Sequence, residues 1–168
     1  VSLLDRLRAR ELPTAVVPIP VDAVAYARLD GALQQAVWRL EDARSRGGGD
    51  IGVLRAEAQA AQAALDGCAV DLVTLRALPP AEWEALVDAH PPTEEQLNGG
   101  AQWNLQSFRP ALLAVSVVAD DGDAPVSESD WAALAKEPSL TGGELAALFH
   151  AAVTLNLRGP SASVGKDH

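Results

Sequence analysis

Apolar positions recur along most of this chain with helical rather than strand spacing. Leu29, Leu33, Ala36, Val37 and Leu40 fall at i, i+4, i+7, i+8 and i+11, one stripe of a helix predicted over 23–46. Asp22 is its predicted N-cap. Gly47-Gly48-Gly49 breaks the helix, and Asp50 opens a second one to about Asp66. There Ile51, Leu54, Ala58, Ala61 and Leu65 repeat at spacings of three and four. Two amphipathic helices joined by a short glycine link predict an antiparallel hairpin. Its expected seam sets Leu33, Val37 and Leu40 against Leu54, Ala58 and Ala61. Alanine makes that seam narrow, so the hairpin needs a further surface to pack on.

Strand signals are few. Before the hairpin, Val1–Glu11 reads as a short helix or arm with Leu3, Leu4 and Leu7 on one side, stopped by Pro13. Thr14–Val21 (TAVVPIPV) is β-branched but interrupted by Pro18 and Pro20, which confines it to an edge strand or an extended arm. Cys68–Leu78 partly alternates and reads as a strand paired with that segment, or as the start of a helix, the strand being favoured.

After it come short helices with local start signals. Pro79-Pro80 opens one carrying Trp83, Leu86 and Val87, which Pro91-Pro92 ends. Thr93 with Gln96, and Thr141 with Glu144, match capping boxes, and Ser127 is followed three residues later by Asp130. Ser107–Ala119 (SFRPALLAVSVVA) is the most apolar stretch and the predicted central helix, with Pro110 near its start. The last helix carries Leu145, Leu148, Phe149, Ala152 and Leu155, and 159–168 is expected to be a disordered tail. The predicted fold is mainly α. A short N-terminal strand and helical hairpin (1–67) precede a compact acidic bundle of short helices (68–158), with a small two-stranded sheet as an option.

Charge divides the chain unevenly. Residues 1–67 carry 8 Lys and Arg against 9 Asp and Glu, whereas residues 68–168 carry 5 against 14. The later part would repel a phosphate backbone and an anionic membrane, so neither nucleic acid nor membrane is an expected partner. No apolar run approaches the roughly 20 residues of a membrane span. VSLLDRLRARELP lacks the apolar centre of a signal peptide, which leaves the cytoplasm as the expected location.

Candidate chemistry is sparse. Cys68 is the single cysteine, and His90, His150 and His168 have no metal-type spacing. Asp120, Asp121 and Asp123 lack the remaining ligands of a calcium loop. Gly47–Gly49 lacks the lysine of a phosphate loop, and no serine sits in a GxSxG setting. Neither an enzyme nor a cofactor is expected. What remains is helix surface, and with it protein binding and self-association. Candidate contact residues are Trp83, Leu86, Leu148 and Phe149, with Trp103, in the loop NGGAQWN, as an exposed aromatic anchor.

The blocks VTLRALPPAEWEALVDAHPPT, FRPALLAVSVV, SESDWAALAKE and LTGGELAALFHAAVTLN lie within residues 70–157. Together they resemble tail assembly chaperones of long-tailed, siphovirus-type phages of high-GC Gram-positive bacteria. The resemblance implies a non-enzymatic protein of the host-cell cytoplasm. It would bind the helical tape-measure protein while tail-tube protein polymerises around it, and a longer frameshifted form often accompanies such a protein. A permanent virion component, such as a head–tail connector or tail completion protein, is the alternative.

Overall fold

The computed structural model describes residues 2–158. It is 61% helical, with eight helices and a two-stranded antiparallel sheet among the described residues. In order these are α1 (Leu3–Arg8), β1 (Thr14–Pro20), α2 (Ala23–Arg46), α3 (Ile51–Asp66), β2 (Val70–Arg76), α4 (Pro80–Ala89), α5 (Glu94–Asn98), α6 (Leu105–Ser116), α7 (Glu128–Leu134) and α8 (Gly142–Leu157). The tail predicted over 159–168 lies outside the described residues.

The strands explain their own prolines. Val21 donates its N–H to the Ala69 carbonyl and Ala77 donates to that of Pro13, which sets Val17 opposite Val73. In this register the odd-numbered residues of β1 aim their N–H groups at β2. Pro18 and Pro20, which have no N–H to give, fall at outward positions. The far edge of β2 takes a short extension: Val118 donates to the Thr74 carbonyl and Leu75 bridges Val117. The central helix therefore ends at Ser116 instead of Ala119, because Val117 and Val118 are drawn out along β2.

The chain forms two compact units, one of them Pro18–Leu72 and the other the residues before and after it. This differs from the predicted division after Gly67. Pairing is the reason: every residue of the ribbon lies opposite one in its own unit, so the arm through Val17 travels with Val73 and beyond.

Within Pro18–Leu72, α2 and α3 form the predicted antiparallel hairpin. Asp22 and Asp50 cap the two helices, and Gly47 and Gly49 take positive φ at the turn (68° and 80°). Arg39 and Glu57 form an ion pair at 3.5 Å across the two helices. The seam on α2 is Ala36, Leu40 and Ala43, with Leu33 half-buried. Val37 was expected there but is 38% exposed. Spacings of three, four and three from Leu33 follow the 3.6-residue turn, and Val37 falls on the shoulder of that stripe. On α3 the expected residues Leu54, Ala58 and Ala61 are half-buried.

The other unit is built on α6. Phe108, Leu112 and Leu113 are fully enclosed, joined by Leu75, Trp131, Leu145, Leu148 and Ala152. Pro110 sits in the second turn of α6 instead of at its start, and so forgoes the bond its N–H would have given to Gln106. Capping boxes hold the starts of α1, α5, α7 and α8 through Ser2, Thr93, Ser127 and Thr141.

Candidate functional site

Three of the five predicted contact residues meet in one aromatic cluster. Phe108 is its centre, with no exposed surface. Trp103 stacks on it at 4.6 Å between centroids, with the planes 23° apart. Trp83 and Phe149 approach Phe108 edge-on at 5.7 and 6.1 Å, and His90 lies at 6.1 Å. Edge-to-face and offset contacts of this kind favour the ring quadrupoles beyond simple area burial. The loop holding Trp103 is tied at two points. Ala101 donates to the Gln96 carbonyl, and Asn104 donates to that of His90, both at 2.9 Å. Trp103 is therefore half-buried and is not the exposed anchor its glycine-flanked loop suggested. Leu148, 1% exposed, serves the core.

Leu86 stands apart from the cluster. It lines an open groove of about 360 Å³ with Leu78, Ala85, Ala89 and Val115, and Glu82 forms its rim. Leu78, Glu82 and Val115 also line a second hollow of about 460 Å³, which reaches Glu11, Leu12 and Arg76. The two hollows adjoin at these three residues, beside the start of α4, and are together called the trough. Every charged side chain of α4 is acidic: Glu82, Glu84 and Asp88.

A further cleft of about 430 Å³ lies among α6, α7 and α8, with Arg109 and Lys136 at its edge and Trp131 in its wall. Neither cation has an ion-pair partner among the described residues. The Trp131 indole N–H is buried without an acceptor, as is the Ser116 hydroxyl. Among the described residues no group of three His, Cys, Asp or Glu is placed to hold a metal ion. The half-buried Cys68 points its Sγ toward the Ala64 carbonyl at 3.9 Å, and Asp120, Asp121 and Asp123 are exposed. The carboxylates held below their ordinary range are Asp5 and Asp130, each accepting hydrogen bonds from the side chain and backbone of its own N-cap serine. Those are structural roles.

The hairpin carries a residue that the apolar stripe does not single out. Trp38 is 63% exposed on the side of α2 opposite the seam. Val24, Gly31 and Trp38 recur every seven residues and so trace one line along that outer face. Val24 is 82% exposed, and a Cβ added at Gly31 would meet nothing within 4 Å. The signal is present in the sequence as a tryptophan on the polar side of a helix.

No helix among the described residues is long and apolar enough to cross a membrane. Comparison with known proteins gives no match to a family model, to a curated protein or to a solved structure.

Proposed function

We propose that this chain acts by holding another protein, as a tail assembly chaperone whose client is a long amphipathic tape-measure helix. The observation that carries the binding reading is Trp38, 63% exposed on the outer face of α2. A large aromatic left in water on a rigid helix is the residue type that dominates helix-mediated interfaces. Its line with Val24 and Gly31 keeps a heptad spacing, the repeat with which one helix follows another. Gly31 lowers the stability of α2 by about 1 kcal/mol relative to alanine, and no contact inside the hairpin requires it. A glycine there lets a second helix come close. The chaperone identity rests on the sequence blocks within residues 70–157, which resemble that family. On this reading the work is done in the host cytoplasm, tail-tube protein is the second partner, and the acidic later part of the chain speeds encounter with a lysine-rich client.

Co-expression with a tape-measure protein tests this. The chain should keep the client soluble, and Trp38→Ala should lower the soluble client more than neutralising Asp120, Asp121 and Asp123 together. If the charge changes alone removed the client and Trp38→Ala did nothing, the reading would be wrong. Stoichiometric presence of the chain in purified mature particles would favour a permanent virion component instead.

A further inference from the structure

We infer that α1 of one copy seats in the trough along α4 of a second copy, joining two chains by an exchange of arms. The inference uses a different surface from the client face on α2 and does not depend on the client's identity.

Both halves of the contact are present in one chain. α1 buries none of its residues: Leu3, Leu4 and Leu7 are 63%, 53% and 51% exposed. Those leucines sit at i, i+1 and i+4 on one face, the spacing with which a helix anchors in a groove. A six-residue helix is far below the length that holds itself in water, even with its Ser2–Asp5 capping box, so an apolar face on it stabilises little unless something covers it. The trough offers the complement. Its floor is Leu78, Ala85, Leu86, Ala89 and Val115, and Val115 is 48% exposed despite belonging to the central helix.

Charge selects the pairing. Between Ser2 and Arg10 there are three arginines, Arg6, Arg8 and Arg10, against Asp5 alone. The Asp5 carboxylate is already engaged by Ser2. On the trough side Glu82 stands at the wall along α4 and Glu11 lines the adjoining hollow, while Glu84 and Asp88 project from other faces of α4, which carries no basic residue. Arg76 lies at the far end, beside Glu11. A basic leucine-bearing arm and an acidic apolar trough in the same chain are self-complementary. A two-fold exchange satisfies both arms at once.

The experiment is association of the full chain measured by sedimentation across a range of concentrations, with three sets of variants. Replacing Leu3, Leu4 and Leu7 by serine should weaken association about a hundredfold or more. Because α1 buries nothing in its own chain, circular dichroism and the melting temperature should stay unchanged. Arg6→Glu with Arg8→Glu should weaken association, and Glu82→Arg with Glu11→Arg in the other chain should restore it. In a Cys68→Ser background, Leu7→Cys on one tagged chain should form a disulfide with Ala85→Cys on a differently tagged chain. A strict monomer at every concentration would overturn the inference. So would association indifferent to the leucine changes, or cross-links formed only within one chain, which would place the arm in its own trough.

Discussion

Asn156 on α8 accepts the Leu78 N–H through Oδ1 at 2.8 Å and donates its Nδ2 to the Ala152 carbonyl at 2.8 Å. One amide thus joins the exit of β2 to the last helix, across 78 residues of chain, in a part-buried setting. Asn156→Leu should destabilise the fold by about 1–3 kcal/mol, because the Leu78 N–H loses its acceptor. Chemical denaturation measures the loss, and faster hydrogen exchange at Leu78 would locate it.

Trp103, expected from the sequence as an anchor, and Trp38, which the structure brings out, should respond differently to truncation. Trp103→Ala removes the ring stacked on Phe108 and should destabilise by about 2 kcal/mol, less than the full cost of a completely buried aromatic. Trp38→Ala should change stability by no more than about 0.5 kcal/mol, because the side chain covers no core. Equal losses for both variants would mean that Trp38 is structural.

The same substitution at two glycines should have opposite signs. Gly31→Ala, where the added Cβ meets nothing in a helical backbone, should stabilise the hairpin by about 0.5–1 kcal/mol. Gly47→Ala also meets nothing, but φ is +68° there, and the strain should destabilise by about 1 kcal/mol. Urea melts of the two variants decide the matter. If Gly31 is kept for a partner helix, its alanine variant should be the more stable protein and the poorer binder.

Acid should loosen the start of α7. Ser127 holds the Asp130 carboxylate below its ordinary value of 3.8, first through its hydroxyl and then through its backbone N–H. A carboxylate depressed in the folded state contributes stability that is complete above the unfolded value and lost as pH falls through the folded one. The contribution is therefore present at neutral pH and fades below about pH 4. Melting curves from pH 7 to pH 3 should fall less steeply in Asp130→Asn than in the parent chain.

Helix starts were legible in the sequence because a cap and its partner lie three residues apart. Thr93 with Gln96, Ser127 with Asp130 and Thr141 with Glu144 all form the boxes their spacing announces. The end of α6 was not legible. Val117 and Val118 fit a helix by composition and leave it because β2 has a free edge more than 40 residues earlier in the chain. Alanine hid the seam of the hairpin: Val37 is the larger residue, but Ala36 and Ala43 lie on the buried side. At the candidate site, Leu86 was found and its companions Leu78 and Val115 were not, since three separate segments supply the trough. Trp103 misled for the same reason. Two backbone hydrogen bonds of its loop, a local one to Gln96 and a longer one to His90 at the end of α4, decide where its ring goes, not its glycine neighbours.

The outward prolines of β1 have a consequence for aggregation. A two-stranded ribbon is all edge, and an edge with free N–H donors is a template on which a neighbouring chain can lay a strand. Of the four outward positions on β1, two are Pro18 and Pro20, so half of that template is missing. On the other side, Val117 and Val118 already occupy part of β2. Crowded copies of this chain, as during rapid synthesis, should therefore resist growing into cross-β fibrils from this ribbon and meet one another through helices instead.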